Sequence, residues 1–148
     1  MSMQDNIRLD EEFIAAWNSH DADRALSVLA DDVVWQDVGS TDSMRGKPAT
    51  RQYLQSWFSA FPDLKAVVKN RVATEDQVAA EIEFTGTNTG PLQLSSNMPP
   101  IPPTGKKVVG KGTYFVKVRN NKGVEVHSYP DAAGLMTQLG ITPQPPKR

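Results

Sequence analysis

Apolar residues recur along this chain with two spacings, and the change from one to the other outlines the fold. Leu9, Phe13, Ile14 and Trp17 repeat at helical intervals, with Asp10, Glu11 and Glu12 near the start, where acids suit the helix dipole. Asn18-Ser19-His20 interrupts that run. Asp21 is placed to cap a second helix reaching about Ala30, with Ala22, Ala25, Leu26 and Leu29 turned inward, so the first two helices form a hairpin. Val33 to Val38 predicts a short strand and Gly39 to Gly46 a polar loop. Pro48 suits the first turn of a third helix, which carries Leu54, Trp57, Phe58 and Phe61 at i, i+3, i+4, i+7 and stops at Pro62.

From there the period drops to two. Ala66 to Thr74 is a strand, and Glu75-Asp76 turns the chain. Gln77 to Thr87 places Val78, Ala80, Ile82 and Phe84 on one face and Glu81 and Glu83 on the other. Lys107 to Arg119 gathers Val108, Tyr114, Val116 and Val118 on one side. Asn120-Asn121-Lys122-Gly123 makes the hairpin turn into a last strand, and a fourth helix ends near Gly140. Helices first and a run of antiparallel strands afterwards define an α+β fold in a single domain, residues 1–148, with a Pro-rich tail from 142 to 148. Gly86 to Gly105 holds five prolines and three glycines and cannot be a central strand. A segment of this kind is either a rim or lid over the end of the sheet or an irregular surface excursion.

Composition removes several chemistries. The 148 residues contain no cysteine, which excludes disulfides, thiolate nucleophiles, Cys-ligated zinc and iron–sulfur clusters. With two His, a metal site would need mainly carboxylates, and no such cluster is visible. Sixteen basic and seventeen acidic residues nearly cancel, without a basic stripe, so nucleic acid is not an expected partner. The first ten residues lack a secretory pattern and no apolar run is long enough for a membrane span, which makes a soluble cytoplasmic protein the expectation. Gly-rich phosphate loops, H-E-x-x-H and G-x-S-x-G are all missing from the sequence.

The candidate chemistry lies on the last strand. Alternation projects Glu125, His127, Tyr129 and Asp131 to one side and Val124, Val126 and Ser128 to the other. If the polar side lines a cavity it is a proton-transfer site; if it meets water it is an ordinary surface. Asp131 fits two roles, a general base or the N-cap of the following helix. His127 could contact a bound molecule, and Glu125 is expected to pair with Lys117 or Arg119 across the hairpin. Trp35 and Tyr129 are the best candidates for pocket walls, with Tyr53 and Phe115 as further aromatics. Asn88 could hold a carbonyl oxygen or serve a loop turn.

Trp35-Gln36-Asp37, Phe61-Pro62-Asp63-Leu64, Thr85-Gly86-Thr87-Asn88-Thr89-Gly90, Pro102-Pro103-Thr104-Gly105 and Asp131-Ala132-Ala133-Gly134-Leu135-Met136-Thr137-Gln138-Leu139-Gly140 occur in an order that resembles the SnoaL-like polyketide cyclases of the nuclear-transport-factor-2-like superfamily. The resemblance covers residues 8–141. It implies a cone, in which a curved antiparallel sheet wraps around the N-terminal helices and leaves an apolar pocket for a small carbonyl compound. It implies an aldol-type cyclase or isomerase with no metal and no organic cofactor, Asp131 as the catalytic base, and a homodimer formed through the outer face of the sheet. His127 becomes a second catalytic candidate; Trp35, Gln36, Tyr53, Asn88, Phe115, Glu125 and Tyr129 become substrate contacts. Gln36, Asn88 and His127 depart from the residues the family often carries at those places. A non-catalytic binding protein of the same fold and a water-activating hydrolase or dehydratase are the alternatives.

Overall fold

A computed structural model of the chain describes residues 2–38, 43–93 and 99–141. Helix α1 (Met3–Asn18) begins earlier than its apolar stripe. Ser2 Oγ accepts from the Asp5 N–H at 3.1 Å and the Asp5 carboxylate accepts from the Ser2 N–H at 3.2 Å, a reciprocal cap that extends the helix by a turn and a half. Helix α2 (Ala22–Leu26) is shorter than expected, capped by Asp21 as its sequence indicates. Leu29 already belongs to β1 (Leu29–Asp37). A two-residue strand β2 (Met44–Arg45) leads into α3 (Gly46–Ala60). Strands β3 (Lys65–Ala73), β4 (Gln77–Thr87), β5 (Lys107–Arg119) and β6 (Lys122–Pro130) follow within a residue or two of the expected bounds, and α4 (Ala132–Gln138) closes the chain. Asn120 and Asn121 both take positive φ, 54° and 60°, as a two-residue hairpin between β5 and β6 requires.

The six strands form one sheet in the order β2-β1-β6-β5-β4-β3. It is not wholly antiparallel, because β1 runs parallel to β6. The chain reaches β6 from β1 only after α3 and four other strands, a crossover long enough to bring it back in the same direction. Helices α1 and α3 lie on the concave face, α1 over β3 and β4, α3 over β1. Val33, Trp35, Val78, Ala80, Phe84, Tyr114, Val116, Val118 and Val126 turn toward them and are buried. Leu135 of α4 and Leu139, its C-cap, join a second apolar cluster with Trp57, Phe61, Leu64 and Leu92. The Gln138 amide locks α4 onto β5, donating to the Val109 carbonyl and accepting from its N–H, both at 2.7 Å.

Asp10 is not an exposed dipole partner of its own helix. It is fully buried and bonds Arg71 Nε of β3 at 2.7 Å and the Tyr114 hydroxyl of β5 at 2.6 Å. In the Pro-rich segment, Leu92 and Ile101 exchange two backbone hydrogen bonds, and Leu92 is buried, so both ends fold onto the core. The middle of that segment, 94–98, and the tail, 142–148, fall outside the described residues. Among the described residues no helix is long and apolar enough to cross a membrane.

Strand β6 corrects the central expectation. Its alternation is as the sequence indicates, but the apolar side faces inward. Val126 is 2% exposed and sits opposite Val116 of β5 and beside Trp35 of β1. Glu125, His127 and Tyr129 therefore lie on the convex face. Burying Val126 gains apolar contact, whereas burying a carboxylate, an imidazole and a phenol together would need a partner for each.

Candidate functional site

Between α1, α3 and the concave face lies a cavity of about 80 Å³. Phe13 and Trp17 of α1, Trp35 of β1, Tyr53 and Trp57 of α3 and Phe84 of β4 supply most of its aromatic wall. Each comes from the inward stripe of its element. Tyr53 and Trp57 are one helical turn apart and meet edge to face, with ring centroids 6.4 Å apart. Tyr53 also packs on Trp35 at 5.3 Å.

Few polar atoms interrupt this surface. The Trp35 indole donates to Ser128 Oγ at 3.2 Å. The Tyr53 hydroxyl donates to Asp37 Oδ2 at 2.7 Å. Asp37 is two residues beyond Trp35 on the same face of β1, 7% exposed, in register with Ser128 of β6. Burial, then the charge of Asp37, push the Tyr53 phenol well above its ordinary value, while hydrogen bonding from Trp57 and Ser128 works against them to a smaller extent. The phenol is therefore held as a donor. It stands on the cavity wall with a buried carboxylate one hydrogen bond behind it. Among the described residues the buried Trp17 indole N–H has no hydrogen-bond partner.

The expected site residues divide between this chamber and the outside. Trp35 and Tyr53 line the cavity. Gln36 points to the convex side, where its side chain accepts from Ser43 Oγ at 3.1 Å. Phe115 and Tyr129 also lie there, 43% and 46% exposed, in an edge-to-face pair. Glu125 bonds His127 Nε2 at 2.5 Å and stands 3.7 Å from Lys117, the partner expected from the hairpin. The His127 hydrogen bond is the main cause holding the Glu125 carboxyl below its usual range. Asn88 is fully buried and its amide is spent on the loop: it donates to the Ala60 and Gly90 carbonyls and accepts from the Thr104 N–H and hydroxyl. That is the loop-turn role, away from the cavity.

Asp131 takes its capping role. Oδ1 accepts from the Gly134 N–H at 2.9 Å, and the residue is exposed, bordering an open convex-side groove with Lys69, Glu81, Glu83 and Lys111. The Asp131 carboxylate does not line the apolar chamber, and neither does His127. Asp37 and Ser128 line or back the chamber without having been singled out from the sequence. Asp37 could have been found from its place two residues after Trp35 on one strand face. Among the described residues no group of three or more His, Asp or Glu side chains could hold a metal ion.

A curved sheet, helices in its concavity and an aromatic chamber between them define a nuclear-transport-factor-2-like protein. The SnoaL-like polyketide cyclase family model matches residues 7–139, and the chain belongs to that family. Three solved structures illustrate the likeness. AclR from Streptomyces galilaeus is 27% identical with a TM-score of 0.80, covering 99% of this chain and 87% of its own. A Jannaschia sp. CCS1 protein assigned to the SnoaL-like polyketide cyclases is 18% identical with a TM-score of 0.83, covering 95% of each chain. An NTF2-like protein of unknown function from Burkholderia pseudomallei K96243 is 13% identical with a TM-score of 0.74, covering 91% of this chain and 97% of its own. No curated protein matches the sequence.

Proposed function

We propose that this protein is a cofactor-independent cyclase or isomerase that moves a proton next to a carbonyl of a small apolar compound held in the chamber. The observation that carries this reading is the hydrogen bond from Tyr53 to the buried Asp37, at the wall of an otherwise apolar cavity. Deprotonating the phenol alone is disfavoured beside the carboxylate, so the pair works as a unit. The Tyr53 oxygen takes the substrate's C–H proton as its own proton passes to Asp37. The net base is Asp37, no free phenolate forms, and the reverse transfer reprotonates carbon or oxygen at the end of the reaction. The Ser128 hydroxyl on the chamber wall supplies a hydrogen-bond donor for the developing enolate. General acid–base catalysis of this kind contributes about 10²–10⁴-fold.

This reading assigns the base to Asp37 instead of Asp131, and the two can be separated. Deuterium incorporation from solvent into cyclohexanone, followed by NMR, reports proton abstraction directly. Asp37→Asn and Tyr53→Phe should each lower the enzyme-dependent rate by about 10²-fold or more, and Asp131→Asn should leave it unchanged. Loss of exchange in Asp131→Asn with retention in Asp37→Asn would move the chemistry to the convex-side groove.

The size of the chamber favours a second reading, a binding protein without chemistry. At about 80 Å³ it is well below the roughly 300–1,000 Å³ of common ligand pockets. Tight binding of small ring compounds with no exchange above background would establish that reading. Either form is proposed to be a homodimer through the convex face, where Val67, Val109, Phe115 and Tyr129 are exposed. Val126 belongs to the core of one chain and is not available to that contact. Sedimentation showing only monomer at micromolar concentration would remove the dimer.

A further inference from the structure

Only two buried side-chain polar atoms among the described residues lack a hydrogen-bond partner: Asn6 Oδ1 and Trp17 Nε1. Asn6 still donates through its amide to the Thr74 carbonyl at 2.8 Å and lies away from the chamber. Trp17 has no such compensation. Its indole has a single donor, that donor is unused, and the residue forms part of the chamber wall. A buried donor left unpaired costs free energy that a phenylalanine of similar shape would avoid. The Trp35 indole, by contrast, is engaged around the Tyr53 end, where it donates to Ser128.

The location of the free donor matters as much as its existence. Trp17 belongs to α1, which covers β3 and β4, and it packs edge to face on Phe58 with ring centroids 5.3 Å apart. Tyr53 reaches Asp37 at the end of β1, beyond β6 and β5 in the strand order. The two polar marks therefore stand toward opposite halves of the sheet, with the apolar wall between them.

We propose that Trp17 Nε1 is a ligand-binding donor that selects compounds carrying a second acceptor oxygen, remote from the carbonyl that faces Tyr53. This rests on the chamber being the substrate site, and it narrows the substrate class from any small apolar ketone to a doubly oxygenated ring. Trp17 acts as a positioning and specificity residue. Its bond fixes which carbon of the ring is offered to Tyr53 and Asp37.

The test uses three rings of nearly equal size: cyclohexane, cyclohexanone and cyclohexane-1,4-dione. Binding is measured by NMR on ¹⁵N-labelled protein, in which the Trp17 indole N–H gives its own signal. The dione should bind about tenfold more tightly than the monoketone, the value of one good hydrogen bond to a donor already buried. It should move the Trp17 indole signal downfield, and Trp17→Phe should erase the tenfold advantage while keeping the preference of monoketone over cyclohexane. If the dione and monoketone bind alike with the Trp17 signal unmoved, or if the advantage survives in Trp17→Phe, the role of Trp17 is wrong and the chamber reading stands. If none of the rings binds, or the monoketone gains nothing over cyclohexane, the chamber reading falls together with it. The wild-type signal decides the matter even where Trp17→Phe fails to fold.

Discussion

Replacing Asp10 with alanine probes the part of the fold that holds the chamber's roof. The carboxylate is buried between two donors, Arg71 Nε at 2.7 Å and the Tyr114 hydroxyl at 2.6 Å. Burial and the adjacent Asp10 charge raise the Tyr114 phenol well above its ordinary value, so this O–H remains a donor. Alanine strands both groups at once. Removing one partner of a buried ion pair costs about 3–5 kcal/mol. Arg71 retains 20% exposure and can recover part of its hydration, which places the expected loss near the lower bound, about 3 kcal/mol. In a domain of this size that corresponds to a fall in Tm of roughly 6–12 °C. Asp10→Asn keeps the shape and one acceptor and should lose about half as much. Urea unfolding with an unchanged m-value is the appropriate assay, since it separates a native-state effect from a change in the unfolded chain. An Asp10→Ala/Arg71→Met cycle should show the two losses to be less than additive, with a coupling of about 1–3 kcal/mol. The functional consequence follows from α1, which carries Phe13, Ile14 and Trp17 into the chamber wall, so ligand affinity should fall with the network. A loss below about 1 kcal/mol for Asp10→Ala would refute the argument, because a surface pair would cost no more.

Other perturbations have equally definite outcomes. Gly90→Ala should destabilise more than Gly110→Ala in parallel urea titrations: a methyl at 90 meets the Ser59 carbonyl oxygen at 2.1 Å, whereas one at 110 meets the tip of the Phe84 ring at 2.0 Å, and a side chain yields more easily than backbone. Because Phe84 lines the chamber, Gly110→Ala should weaken ring-ketone binding beyond its effect on stability. Tyr53 and Tyr114 are both raised above the ordinary value of 10.0, so the stability they contribute is complete below that pH and is lost as pH rises toward their folded values. Their phenolate absorbance should emerge together with unfolding, and early emergence in the folded protein would contradict their burial. Asp131→Ala removes the cap of α4 and should cost about 1 kcal/mol, read from the urea midpoint.

Most of the architecture was legible because period and punctuation agreed. Val78, Ala80, Ile82 and Phe84 share the inward face of β4, Asn120-Asn121 turns the hairpin, and Asp21 caps α2, each from a local rule that tertiary packing did not oppose. Two features could not be read locally. The parallel pairing of β1 with β6 depends on where a distant strand returns, and β2 is too short to carry a pattern. Asp10 looked like a helix-start acid because its partners lie 61 and 104 residues away.

The site was harder for a sharper reason. Alternation fixes which side chains share a face of a strand, but not which face is inside. On β6 the polar set is the chemically conspicuous one, and attention to chemistry favoured turning it inward. Packing favours the reverse: Val126 must meet Val116 and Trp35, so His127 and Glu125 go to the convex side and pair with each other. The same consideration places Ser128 in the chamber wall, as the next inward residue after Val126. It also turns Asp37 inward, two residues beyond Trp35 on a strand whose apolar face is buried. An acid at the end of β1 and an acid at the end of β6 are alike in the sequence. What separates them is the neighbour each one meets: for Asp131 the free N–H of Gly134, for Asp37 the hydroxyl of Tyr53 arriving from α3. The first contact consumes the carboxylate in holding a helix, and the second connects it to the chamber.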